Sequence, residues 1–155
     1  MPKHSAGILL FRVHASEVEV LLVHPGGPFW KAKDAGAWSI PKGEYAEGDD
    51  PIAAARREFE EEMGVAPGSG ALLPLGEVKL ASGKMIAAWA LEGDCDTSAA
   101  RSNTFTMEWP PRSGKMQEFP EVDRAGWFSI AEARVKMHPA QAEFLDRLME
   151  AVRKA

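Results

Sequence analysis

Residues 43–65 read GEYAEGDDPIAAARREFEEEMGV, and this stretch decides how the chain is read. It sets three carboxylates, Glu58, Glu61 and Glu62, within five residues and follows them with Gly64. A helix advances about 100° per residue, so the three acids fall within an arc of roughly 100° on one face. Like charges so placed repel, and a divalent cation held by oxygen ligands gives the crowding a reason. The apolar positions agree with a helix. Ile52, Phe59 and Met63 form a narrow stripe with Ala55 beside it, which predicts the buried face. Asp50 suits the N-cap, Pro51 the first helical position and Gly64 the residue just past the end. Arg57, four residues before Glu61, can pair with it, whereas Glu60 points to the other flank near Arg56.

The segment resembles the signature of the Nudix hydrolases, G-x5-E-x7-R-E-U-x-E-E-x-G-U, where U is a bulky apolar residue. Gly43, Arg57, Glu58, Phe59, Glu61, Glu62, Gly64 and Val65 occupy its positions, and Asp49 replaces the usual first Glu. Asp49 keeps the charge, is one methylene shorter and is expected to support the loop. The resemblance implies an α/β (α+β) protein, an α/β/α sandwich around a mixed sheet, as a single domain over residues 1–155. It implies hydrolysis of a pyrophosphate linkage between a nucleoside diphosphate and another group X, with Mg2+ or Mn2+ as cofactor. Arg57, Glu58, Glu61 and Glu62 are then the catalytic set. Glu62 is the most constant metal ligand, Glu58 and Glu61 share metal and base roles, and the Lys42 carbonyl can complete the shell. Many members add an acid from a later loop before a Trp-aromatic strand; Glu121, six residues before Trp127, is the first choice and Glu118 the second.

Trp38-Ser39-Ile40-Pro41-Lys42-Gly43 looks like the W-x-x-P-K-G of Nudix branches acting on dinucleoside or diphosphoinositol polyphosphates, which would put Lys42 on a phosphate. Diadenosine polyphosphates such as Ap4A are therefore the first substrate expected, followed by (d)NTPs including oxidised dNTPs, then ADP-ribose, nucleotide sugars and diphosphoinositol polyphosphates. Trp109, Arg112 and Lys115 place an aromatic beside two cations, which suits a base stacked near its phosphates, and Phe29-Trp30-Lys31 has the same character. The competing class is a nucleotide-binding sensor without catalysis. Such members often lose acids from the helix, and this chain keeps them.

Composition sets the frame. The chain has 155 residues, 45% of them hydrophobic, enough for one domain with a substantial core. Its net charge of −5 supplies no basic footprint for polymeric nucleic acid. Cys95 is the single cysteine, so an intrachain disulfide is impossible and a reducing, cytoplasmic setting is expected. No apolar run approaches the roughly 20 residues that span a membrane, and MPKHSAGILLFRV reads as a strand rather than a signal peptide. The four histidines show no metal-ligand spacing. Homodimerisation, common among Nudix proteins, is left open.

Along the chain, residues 5–13 and 18–24 predict a hairpin across HASE, residues 25–37 a Pro/Gly loop and residues 38–40 a short strand. Residues 73–80 and 84–91 predict two more strands joined at Ser82-Gly83. Residues 103–109 predict another strand, residues 110–120 an irregular segment and residues 124–128 a short strand. Ser129 with Glu132 is a capping box opening a helix. His138-Pro139 interrupts it, and Pro139 starts the last helix, whose apolar face is Phe144, Leu145, Leu148 and Val152.

Overall fold

The computed structural model describes residues 3–154; Met1, Pro2 and Ala155, the ends of the expected 1–155 domain, lie outside them. Strands β1 (His4–His14) and β2 (Glu17–Pro25) form the expected hairpin. Ala15 and Ser16, at φ 51° and 67°, make the left-handed two-residue turn that matches strand twist. β3 (Lys42–Glu44) precedes the helix α1 (Pro51–Met63). β4 (Leu72–Lys79) and β5 (Met85–Glu92) form a second hairpin. β6 (Thr104–Glu108) and β7 (Met116–Pro120) pair as a separate two-stranded ribbon, and β8 (Val122–Ser129) returns to the main sheet. Two helices follow, α2 (Ile130–Lys136) and α3 (Glu143–Lys154).

The main sheet runs β4-β5-β1-β2-β8, and β1 with β5 is its parallel pair. Beyond Val20, β2 is no longer paired with β1, and residues 38–44 bridge the two strands. Ser39 exchanges both backbone bonds with Val23, at 2.8 and 3.0 Å, while Lys42–Glu44 pair antiparallel with Ser5–Gly7. This split in the sheet is where the acids and the cleft described below are found.

Strand alternation sorts the core into two layers. Leu9, Phe11, Val20 and Leu22 pack with Met137, Phe144, Leu145 and Leu148 of the C-terminal helical region. Ile8, Leu10, Leu21 and Val23 pack on the other face with Ala54, Ala55, Phe59 and Met63 of α1. The result is the expected α/β/α sandwich with a mixed sheet. Phe59 is fully buried, and truncating it to Ala would cost about 3–5 kcal/mol.

Three elements differ from the sequence reading. Trp38–Ile40 makes only isolated bridges, because a strand wedged into a split has too few neighbours to ladder with. Residues 116–120, expected to be irregular, are β7. The last helix begins at Glu143, since Pro139–Gln141 is a 3-10 turn capped by the His138 side chain. Arg56 also departs from its expected neighbour Glu60 and donates to the Gly68 carbonyl at 2.6 Å. Among the described residues no helix is long and apolar enough to cross a membrane.

Candidate active site

The acids are held by the two ends of α1. At its start, the Asp50 carboxylate accepts the Ile52 N–H at 3.2 Å. At its end, Gly64 adopts φ 76° and donates its N–H to Glu60 at 2.7 Å. A Cβ at residue 64 would also press on the Arg101 carbonyl, at 2.8 Å. That contact belongs to a strap. Arg101 N–H donates to the Met63 carbonyl at 3.1 Å and Asn103 N–H to the Glu61 carbonyl at 2.9 Å, satisfying orphan groups of the helix end. The Asn103 carbonyl accepts from Glu121 N–H at 2.9 Å, and the Glu121 carbonyl accepts from Gly26 at 2.9 Å. A chain of backbone bonds therefore fixes Glu121 relative to the carboxylate helix.

Gly43 explains itself here. On β3 the side chains alternate, so Lys42 and Glu44 share one face and position 43 takes the other. The Glu58 carboxyl fills the place where a Cβ at residue 43 would sit. Glu58 is only 15% exposed as a result. Asp49 accepts the Ala46 N–H at 3.2 Å while its own N–H donates to the Ala46 carbonyl at 3.0 Å, closing the loop ahead of α1.

The electrostatics follow from this burial. Desolvation pushes the Glu62 carboxyl up to about 8; the Lys42 charge and its backbone pull the other way, and Glu58 and Glu121 add repulsion. Burial and then the Glu61 charge raise Glu58, with Arg57 opposing. Arg57 reaches Glu58 and Glu61 loosely, at 3.9 Å each. Burial, followed by the charge of Lys84, lowers Lys42, against the pull of Glu62, Glu44 and Glu58. Acids gathered out of water and against one another resist ionisation, and a bound divalent cation reverses that balance. The donor set is all oxygen, which suits a hard cation. Among the described residues no three His, Cys, Asp or Glu are placed to hold a metal ion together. Mg2+, which keeps several waters and needs only one or two carboxylates, fits that arrangement.

Lys42, Glu62 and Glu121 line one cleft of about 240 Å3 together with Trp30, Ser39 and Gln141. Gln141 is 2% exposed; its amide donates to Ser39 Oγ at 3.0 Å and accepts the Ile40 N–H at 3.1 Å, tying the helical layer to the split in the sheet. Trp30 lies on the loop between β2 and β3, with Lys33 Nζ 5.1 Å from its ring centroid. His24 anchors this loop. Fully buried, it bonds Asp123 Oδ1 through Nδ1 at 2.8 Å and the Lys33 carbonyl through Nε2 at 2.6 Å. Sequence reasoning does not single out Ser39, Gln141 or His24. Their signal is tertiary: Gln141 meets its partners about a hundred residues away.

The structure thus brings Lys42, Glu62 and Glu121 to one cleft, with Arg57, Glu58 and Glu61 beside them on α1. The other expected substrate residues sit on the ribbon, outside that lining. Trp109 meets Phe29 edge-on at 5.8 Å, next to Trp30. Arg112 and Lys115 are exposed on the ribbon turn, where Glu108 accepts the backbone N–H of Arg112 at 2.8 Å. Glu118 is exposed on β7 opposite Thr106.

The sequence model of the NUDIX domain matches residues 1–148. No curated protein matches the chain significantly. Among solved structures, a C. elegans Ap4A hydrolase in a binary complex is similar at TM-score 0.67 and 20% identity, over 99% of each chain. The NUDIX domain of Shewanella oneidensis NrtR, complexed with ADP ribose, is similar at TM-score 0.66 and 15% identity, over 98% of this chain and 89% of that one. A mutT/nudix family protein from Listeria innocua is similar at TM-score 0.66 and 18% identity, over 99% and 96%. At these identities the likeness is one of fold.

Proposed function

The chain belongs to the NUDIX domain family and is a pyrophosphohydrolase of that family, and from this premise we propose that it cleaves dinucleoside polyphosphates such as Ap4A, as a single Mg2+-dependent domain. The observation that carries this reading is the company the acids keep. Lys42, Glu62 and Glu121 line the same cleft as Trp30, and Phe29, the chain neighbour of Trp30, carries a second aromatic contact with Trp109. A substrate with two bases and a phosphate chain between them matches two aromatic platforms beside one carboxylate cluster. The fold shared with an Ap4A hydrolase is compatible with it.

Glu62, with one of Glu58, Glu61 and Glu121, would hold the cation among its waters, with the Lys42 carbonyl available to it. When bound, the cation neutralises phosphate oxygens and makes a coordinated water more acidic. The protein's own groups do the rest. Lys42 orients a phosphate by its charge. One water adds across a P–O–P linkage: its oxygen bonds phosphorus, and its proton passes to the Glu58–Glu61 pair. The bridging oxygen leaves with the departing phosphate chain. The two carboxylates interact, so the base role belongs to the pair. Arg57 holds both in reach, and Trp30 stacks a base and excludes water.

A second reading, hydrolysis of (d)NTPs or oxidised dNTPs, uses the same acids and Trp30 alone. Chromatography of products from Ap4A, ATP, dGTP, 8-oxo-dGTP, ADP-ribose and a diphosphoinositol polyphosphate separates them. Fast conversion of Ap4A to ATP and AMP is expected. Preference for a triphosphate would replace the substrate assignment. Binding without turnover of any would instead indicate a sensor.

A further inference from the structure

A second groove opens beside the cleft. It measures about 800 Å3 and is lined by Lys3, Glu44, Lys79, Ser82, Gly83 and Lys84. In a chain of net charge −5 it is a local excess of positive charge. Among the described residues Glu44 is the one carboxylate of its lining, and two lysines share it at long range: Lys3 Nζ at 3.8 Å and Lys84 Nζ at 3.9 Å. Lys79 has no acidic partner among the described residues. Cations collected around so little negative charge repel one another, and an anion relieves that repulsion.

The groove lies beside the active site, and neighbouring residues of two elements line the one and the other. Lys42 and Glu44 project from the same face of β3, one into the cleft and the other into the groove. The hairpin tip between β4 and β5 joins them as well, since Leu80 lines the cleft while Lys79 and Lys84 line the groove. That tip is shaped by its own backbone, with Leu80 N–H donating to the Lys84 carbonyl at 2.8 Å and Gly83 N–H to the Leu80 carbonyl at 2.9 Å. Lys42 in the cleft thus has Glu62 as a charged neighbour on one side and Lys84 and Glu44 of the groove as others.

We propose that this lysine groove binds the phosphates of a long polyphosphate chain that lie beyond the cleaved linkage, so that the protein discriminates substrates by chain length. The inference rests on the pyrophosphohydrolase reading and specifies the substrate class of the same site: nucleotides with four or more phosphates over those with two. Lysines suit such a ligand because each acts as a mobile point charge on successive phosphates, with no demand for one bidentate geometry.

The test compares kcat/KM for Ap5A, Ap4A and ADP-ribose at constant Mg2+ in wild type, in the double variant Lys79→Gln/Lys84→Gln and in the single variant Lys79→Glu. The long-to-short ratio should fall by about tenfold or more in the double variant, chiefly through KM, and the loss should shrink at high salt. Lys79 is exposed, so Lys79→Glu keeps the comparison valid if the double variant folds poorly. A ratio that stays within about twofold of wild type in both variants, or a wild type indifferent to chain length, overturns the proposal. If no pyrophosphate is turned over, the activity reading fails separately, and calorimetry with inorganic tripolyphosphate then reads the groove directly. Binding by wild type that both variants lose supports the groove; equal binding by all three refutes it.

Discussion

Helix α1 and the β6–β7 ribbon lie on either side of the strap from Arg101 to Asn103, yet they are built differently. α1 is fixed at every turn. Gly43 admits Glu58, the Asp50 cap starts the helix, Gly64 and the strap close it, and Phe59 and Met63 bury its apolar stripe. The ribbon pairs mainly with itself, and its contacts to the body are slight. Phe105 and Phe119 meet at 6.0 Å, Trp109 leans on Phe29, and Met116 is 64% exposed. A cluster of partly dehydrated acids needs a rigid frame, because each carboxylate must resist the others. A surface that selects among bases needs exposed aromatics and cations instead. On the proposed function, chemistry would be built into the buried region and selectivity into the exposed one.

If that division holds, the largest effects should come from α1. Glu62→Gln should lower kcat by about a thousandfold while leaving nucleotide binding measurable. Gly43→Ala should also damage turnover by driving Glu58 from its place, by about tenfold to a hundredfold, because small misplacements of reacting groups are costly. Steady-state kinetics on both variants checks the ranking. A Glu62→Gln enzyme with normal kcat would break the comparison at its strongest point.

The pH dependence of stability sharpens it next. The Glu62 pKa rises from its ordinary 4.5 to about 8, so the folded, metal-free protein holds that proton more tightly than the unfolded chain does. Stability should therefore fall as pH rises from about 4.5 to about 8 and level off above. Glu58, raised by burial, acts in the same direction, and Lys42, lowered by burial, opposes them at the alkaline end. Mg2+ or Mn2+ should restore stability most at pH 8. Thermal melts from pH 5 to 8.5, with and without cation, read this. A metal-free melting temperature that climbs steadily across that range would contradict the assignment.

On the selective side, effects should be smaller and fall on KM. Trp30→Ala should raise KM by about tenfold with little change in kcat, since one base–aromatic stack is worth about 1–3 kcal/mol. Trp109→Ala should do less, because Trp109 reaches the rim only through Phe29, and its effect should appear with a dinucleotide and vanish with a mononucleotide. Equal losses on both substrates would remove the second platform.

The same contrast governs how much of the fold and the site is legible in the sequence. The caps, stripe and acids of α1 follow from spacings of three and four residues, so they can be read directly. The two-layer core follows from alternation in β1 and β2. Glu121 is reachable through its distance to Trp127, although the strap that positions it is not. Gln141, Ser39 and His24 act through partners brought together by the whole fold, and no local pattern marks them. β7 reads as irregular because Met116–Pro120 offers one half-buried apolar residue, Phe119, between a glycine-containing turn and a proline.

The chemistry of the site turns on whether the buried carboxylates around Glu62 take up a divalent cation in exchange for a proton. Calorimetric titration of Mn2+ into the metal-free protein at pH 7, in two buffers of different ionisation enthalpy, tests this directly. Saturable binding with about one proton released per cation, abolished in Glu62→Gln, is the expected result. Binding that releases no proton and persists unchanged in Glu62→Gln would contradict it.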